Sequence, residues 1–399
     1  MSVPVDPEGT VTSAQGYQAG AVYAGIKSYG DDKLDLAVLA SSSPCAVAGT
    51  FTKNRLRSAA VEVNAARLPR RRAQAVVVNS GVANSSTGER GIEDARRMTE
   101  LVGRQLGLQA EDVLVCSTGV IGQFLPMDKI EAGIERIELS PLAGKDFARA
   151  IMTTDTRPKH GSVRFGPYIL GGCAKGSGMI HPNMATMLAF LTTDASVEPG
   201  FLQSALSAAV DRSFNLVSVD GDTSPSDTVL LFANGAAGGD PIGADSPLAG
   251  SFQAALDSLC VYLAKEIARD GEGATKLMEV TVTGAASNAD ARSLVRLLTT
   301  SYLLKSAVHG ADPNWGRITA VIGRSGVQFE EDNVAISVCG TRVFQKQRPT
   351  DFDPDVVSRA MQGDTVTIEV DLGAGPFSAT GWGCDLTAEY VHINADYHT

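Results

Sequence analysis

The sequence predicts an α/β fold of mixed, α+β character, in which helices are layered on mixed sheets. Three observations carry this. β-branched runs end in Gly, Ser, Thr or Asn; amphipathic stretches with three-to-four spacing lie between them; and 399 residues are enough to bury a large core without disulfide or metal staples. With 44% apolar and 20% charged residues the composition is globular, which excludes disorder, collagen-like repeats and coiled coil.

Residues 75–79 (AVVVN) read as a buried strand that enters the polar run 80–88 (SGVANSSTG), and 113–116 (VLVC) as a second strand delivering Ser117, Thr118 and Gly119 as a loop. Between them Ile92, Ala95, Met98, Leu101, Val102 and Leu106 make one helical face, with Glu93 and Asp94 early in the helix. Leu202, Leu206 and Val210 mark a second helix, and Phe252, Leu256, Leu259, Leu263 and Ile267 a third. Further strands are expected at 216–220, 228–232, 279–283, 334–339 and 366–370, with a Gly-rich surface loop over 235–250.

The charge balance, 45 acidic against 34 basic residues for a net −11, argues against a phosphate-backbone binder. The one basic cluster, Arg67 with Arg70, Arg71 and Arg72, sits beside Pro69 and is expected in a turn. No apolar run approaches the roughly 20 residues that a membrane-spanning helix needs, and residues 1–16 lack the basic and apolar regions of a secretory signal. The six cysteines are widely spaced, without a metal-ligand or disulfide pattern, so reduced and mostly buried thiols and a cytoplasmic location are expected. The five histidines show no metal-binding spacing, and no nucleophile elbow, phosphate loop or dinucleotide fingerprint occurs in a strand-to-helix context.

The segment 174–195 (AKGSGMIHPNMATMLAFLTTDA) stands apart, because a permissive Gly-Ser-Gly loop leads through Pro182 to Met184, Ala185 and Thr186 before an apolar run. Local chemistry leaves two readings open: a core segment with Thr186 on its polar edge, or a threonine presented for chemistry.

Residues 175–188 (KGSGMIHPNMATML) resemble the self-cleavage and active-site signature of the ornithine acetyltransferase family, the glutamate N-acetyltransferases of arginine biosynthesis. Similar matches occur at 116–122 (CSTGVIG) with Pro126 and Met127, at 151–155 (IMTTD), 270–276 (DGEGATK) and 312–317 (DPNWGR), and at 384–387 (CDLT) with 394–399. The likeness thus runs collinearly over nearly the whole chain.

The resemblance implies a layered fold like that of the β-aminopeptidases with N-terminal nucleophiles, and self-cleavage between Ala185 and Thr186 into chains 1–185 and 186–399. It implies that Thr186 is the nucleophile, that Thr118 and Gly119 form the oxyanion hole, and that Thr153, Lys175, Thr186, Glu272, Asn394 and Thr399 contact substrate. Their chemistry suits an N-acetylated amino acid, since Lys175 can pair with an α-carboxylate and Glu272 with a side-chain ammonium. A freed Thr186 α-amine, with a reference pKa of about 7.7 to 8, can act as base for its own hydroxyl. The implied reaction moves acetyl from N2-acetylornithine to glutamate, with acetyl-CoA as a further donor in some members, no metal or prosthetic group, and an assembly of two large and two small chains. A hydrolase of the aminopeptidase type, with water as acceptor, and an antibiotic-pathway transferase are the alternatives. The 312–317 run has no assigned step, and Trp315 is expected to serve packing.

Overall fold

The computed structural model describes residues 3–27, 33–68, 70–181 and 187–396, with only the backbone described at 70 and 71. In chain order β1 (Tyr17–Val22), the long β2 (Leu36–Phe51), β3 (Arg70–Val82), β4 (Val113–Val120), β5 (Lys159–Phe165), β6 (Tyr168–Lys175) and β7 (Leu188–Thr193) are followed by the two-residue β8 (Val217–Ser218) and by β9 (Thr228–Ala233). All but β8 form one sheet, ordered β4-β3-β2-β9-β7-β6-β5, with β1 paired to β2. The second sheet joins β8 to β10 (Leu277–Ala285), β11 (Ala335–Val338), β12 (Thr341–Gln345), β13 (Arg348–Pro349), β14 (Thr365–Asp371) and β15 (Phe377–Cys384) in the order β13-β12-β11-β14-β10-β15-β8. Both sheets mix parallel and antiparallel neighbours, as expected: β7 runs parallel to β9 and antiparallel to β6, and β10 parallel to β14 and antiparallel to β15.

Helices α1 (Ala59–Arg67), α2 (Gly88–Leu106) and α3 (Met127–Glu135) share a core with one face of β2, β3 and β4, and α4 (Gly144–Ala150) packs on the opposite face. Next come α5 (Pro199–Arg212) and α6 (Ala249–Arg269), and α6 touches β5 and β6 of the first sheet as well as β10 and β15 of the second. The second sheet also carries α7 (Asn288–Thr299), α8 (Tyr302–His309) and α9 (Trp315–Arg324), and the last helices are α10 (Pro354–Ala360) and α11 (Ala388–Asp396). No helix among the described residues is long and apolar enough to cross a membrane.

Period-two geometry explains the uninterrupted apolar runs of the central strands. In β9, Val229, Leu231 and Ala233 face the core built on α5 and α6, while Leu230 and Phe232 face the core of α4. In β7, Ala189 and Leu191 take the first face and Leu188 and Phe190 the second, where the rings of Phe190 and Phe147 meet edge to face at 5.2 Å. Strands buried on both faces leave no polar stripe.

Three local expectations are corrected. Ser80 to Val82 and Ser117 to Val120 are not loops, because β3 and β4 continue through them as a parallel pair with Gly81 opposite Gly119. The strands pinch so closely there that a Cβ on Gly119, at φ +130°, would lie 2.3 Å from the Gly81 carbonyl carbon. The arginine cluster is not a turn either: Arg67 closes α1 and its guanidinium donates to the Ala110 and Val113 carbonyls, while Arg70 to Arg72 open β3. Finally, the strand expected at 216–220 shrinks to β8, since Phe214 to Leu216 form a 3₁₀ turn and Asp220 turns its carboxylate to other backbone. Trp315 packs as expected, stacked on Phe344 at 5.1 Å.

Candidate active site

The site is assembled around a buried ammonium. Lys159, at the start of β5, is 1% exposed, and its Nζ donates at 2.6 Å to both Asp155 Oδ1 and Asp270 Oδ2. Asp155 also accepts from the Gly176 and Thr153 amides at 2.7 and 3.0 Å, and Asp270 accepts from the amide and hydroxyl of Thr156. Burial works to raise the Asp155 carboxyl, but Lys159, Lys175 and the Gly176 amide outweigh it and hold it well below the usual carboxylate range. One cation thereby ties the 151–156 loop, the end of β6 and the turn after α6 to one another. These segments carry Thr153, Lys175 and Glu272.

Those three residues, with Thr118, Gly119 and Asn394, line a single cavity of about 520 Å³. Lys175 is 1% exposed, and its Nζ lies 3.4 Å from Thr118 Oγ1, a bond that reaches strand β4. Burial pulls the Lys175 ammonium below its ordinary value, with Asp155 opposing. This is the one hydrogen bond that Nζ makes among the described residues, so the remaining donors of a buried cation face a cavity. Across from it, Glu272 Oε2 accepts from Asn394 Nδ2 of α11 at 2.8 Å, and the Glu272 amide donates to the Ser177 carbonyl at 2.9 Å. Gly178 makes this possible, because a Cβ there would meet the Glu272 carboxylate at 2.3 Å. Asn394, which a chain-terminal position would leave frayed, is thus docked on a helix. Ala185, Thr186 and Thr399 lie outside the described residues.

Sequence reasoning missed Asp220, Asp227 and Tyr390. Asp220 accepts from the Met179 and Ile180 amides at 2.5 and 2.9 Å and so holds Met179 at φ +55° in the loop that leads toward residue 186. Burial pushes the Asp220 carboxyl up to about 6; the Asp222, Met179 and Ile180 amides pull it down and Glu272 adds to the rise. Tyr390 lines the cavity too, its phenol raised by burial and by Asp220 and Glu272. Asp227 is wholly buried, with Oδ1 accepting from the Met187 amide at 3.1 Å and no partner for Oδ2 among the described residues. Burial drives this carboxyl far up, and the amide it accepts belongs to Met187, the residue after Thr186 in the chain. In sequence, 220–227 (DGDTSPSD) lies between the strands expected at 216–220 and 228–232 and matches none of the motifs.

Comparison with known proteins decides the class. A model of the ArgJ family matches residues 18–399. The chain belongs to the ArgJ family. Curated relatives include the arginine biosynthesis bifunctional proteins of Dehalococcoides mccartyi, 48% identical over 100% of this chain and 99% of that one, and of Symbiobacterium thermophilum, 48% identical over 98% and 99%. Among solved structures, the ArgJ crystal structure from Bacillus halodurans is 43% identical, with a TM-score of 0.51, over 52% of this chain and 98% of that chain. This family member is accordingly an acetyltransferase of arginine biosynthesis, a glutamate N-acetyltransferase, as the collinear motifs imply.

Two outcomes follow for the described residues. Lys159→Met leaves two buried carboxylates without their cation and should cost about 3–5 kcal/mol in urea unfolding; an unchanged midpoint would show that the network bears no load. Asp220 is ionised above about pH 6 and neutral below, so a cavity that takes an ammonium group should bind ornithine more weakly as the pH falls through 6. Asp220→Asn should flatten that limb in calorimetric titrations, and an unchanged limb would assign it to another group.

Proposed function

We propose that this acetyltransferase works through an acetyl-Thr186 intermediate in a chain that has first cut itself between Ala185 and Thr186, giving chains 1–185 and 186–399. In maturation the Thr186 hydroxyl attacks the Ala185 carbonyl, the acyl group shifts from nitrogen to oxygen and so frees the Thr186 α-amine, and water then hydrolyses the ester to free the hydroxyl and the Ala185 carboxylate. That amine takes the hydroxyl proton when Thr186 attacks the acetyl carbonyl of N2-acetylornithine, and returns it to the departing ornithine nitrogen. Glutamate then attacks the acetyl ester through its own amine and leaves as N-acetylglutamate. Each substrate meets the same threonine in turn, so the kinetics are ping-pong.

The observation that carries this reading is the pairing, in one cavity, of a buried lysine ammonium beside the Thr118 hydroxyl with a carboxylate held by Asn394. An N-acetylated amino acid has an anionic carboxylate, an acyl oxygen and, in ornithine, a distal ammonium. We assign the carboxylate to Lys175, the developing oxyanion to Thr118 and Gly119, and the ammonium to Glu272, with Thr153, Asn394 and Thr399 as further contacts. The B. halodurans chain, which matches about half of this one along nearly all of its own length, supports a two-piece protein. Acetyl-CoA serves as a second donor, a reading supported by the bifunctional character named for the curated relatives. The reaction runs on the chain's own groups without metal or prosthetic group. An assembly of two large and two small chains in the cytoplasm completes the reading, and six free cysteines, five of them buried, support that location.

Intact-mass analysis tests the centre of the proposal. The purified protein should show two chains, and brief exposure to N2-acetylornithine should add one acetyl mass to the chain that begins at Thr186. Thr186→Ala protein should remain one uncut chain without an adduct; cleavage and transfer that persist in it would refute the nucleophile assignment. Thr118→Ala should lower turnover by about 10²-fold or more at nearly unchanged stability, and a rise in KM at intact turnover would make Thr118 a binding residue instead.

A further inference from the structure

The active-site cavity does not end at its acidic wall. A second cleft of about 240 Å³ adjoins it and shares two lining residues with it, Leu56 and Ser86. Its other walls include Arg55 and Arg57, with Glu62 as the one acidic residue among those that line it. Lys53, Arg55 and Arg57 are all exposed, and none forms an ion pair among the described residues. Leu56 stands between the two arginines at 77% exposure.

This segment is held in place. The Thr52 hydroxyl donates to the Ser224 carbonyl at 2.7 Å, Asn54 Nδ2 to the Thr223 carbonyl at 3.3 Å, and the Leu56 amide to Asn54 Oδ1 at 2.9 Å. On the far side the Ser58 amide donates to the Pro225 carbonyl at 2.9 Å. The backbone is therefore fixed to the 223–225 turn that lines the main cavity, while three cationic side chains and one leucine project without an ion pair or side-chain hydrogen bond among the described residues.

Charge is sorted along the combined cavity. Asp220, Asp222 and Glu272 lie in the main cavity and suit an ammonium group, whereas the 53–57 segment is basic in a protein of net charge −11. Exposed cations act over about 10 Å at 0.1 M salt, so a local basic cluster governs what approaches it whatever the sign of the whole molecule. An amino-acid donor has no use for it. A donor that carries phosphates on a long, partly apolar arm does.

We infer that Arg55 and Arg57 hold the phosphates of an acyl thioester donor, acetyl-CoA, whose arm passes Leu56 and Ser86 so that its acetyl group reaches the Thr118 and Lys175 wall. The inference rests on the reading of acetyl-CoA as second donor. The chemistry is unchanged: the Thr186 oxygen forms a bond to the acetyl carbon, the carbon–sulfur bond breaks, and the thiol leaves with the proton taken from the hydroxyl.

The test is acetylglutamate formation by the mature enzyme with three donors: acetyl-CoA, N2-acetylornithine, and S-acetyl-N-acetylcysteamine, a thioester without phosphates. In the Arg55→Gln/Arg57→Gln double variant, KM for acetyl-CoA should rise on the order of tenfold while the other two donors stay within about twofold. Arg55→Lys/Arg57→Lys should restore most of the loss, and KM for acetyl-CoA should climb with salt in the wild type but not in the glutamine variant. An unchanged KM for acetyl-CoA, or equal shifts for all three donors, overturns the phosphate site while leaving acetyl-CoA as a donor. A wild-type enzyme that uses N2-acetylornithine but not acetyl-CoA overturns the second-donor reading and the site with it.

Discussion

Everything at the cavity depends on one buried cation, the Lys159 ammonium between Asp155 and Asp270. A lysine without solvent is costly unless its charge is matched and its donors are filled. Here two carboxylates match it, and they spend their remaining lone pairs on the Thr153, Thr156 and Gly176 amides. The result is a cross-link between three segments far apart in sequence, each of which carries one of the cavity's polar side chains. Rigid placement of that kind is what a transfer site needs, because a small displacement of an orienting group is expensive in rate.

Around that cross-link, close backbone approach sets the rest. Gly81 and Gly119 let β3 and β4 pinch together beside Thr118, and Gly178 lets the Glu272 carboxylate lie against the loop after β6. Lys175 then stands buried with donors unspent among the described residues, Glu272 is steadied by Asn394, and Asp220 clamps the loop that runs toward residue 186. The wall thus presents a cation and a hydroxyl at one place and acidic groups at another. That pattern complements an amino acid whose two charges sit on either side of an acyl group.

Much of the fold is legible in the sequence. The α2 face and the α5 and α6 stripes keep a strong helical period, the doubly buried β9 run is short and apolar throughout, and each lies where that pattern predicts. Strand ends are less legible, since 80–82 and 117–120 have loop composition and stay in the sheet only because paired glycines permit the approach. Of the site, Thr118, Gly119, Thr153, Lys175, Glu272 and Asn394 are readable through collinear motifs, and they do line one cavity; no local pattern links them. Asp155 and Asp270 fall within two of those motifs and Lys159 in none, and nothing in the sequence ties the three together, because charged residues in polar stretches read as surface and full burial of a lysine is rare. Asp227 is hidden for the same reason.

The central claim is that Lys175 takes the carboxylate and Glu272 the distal ammonium of one amino acid. A crystal structure of the mature enzyme with ornithine bound tests it most directly. The ornithine carboxylate should lie within hydrogen-bond distance of Lys175 Nζ, its side-chain ammonium against Glu272 and its α-nitrogen toward Thr186. Ornithine bound in the reverse direction, or outside this cavity, would contradict it.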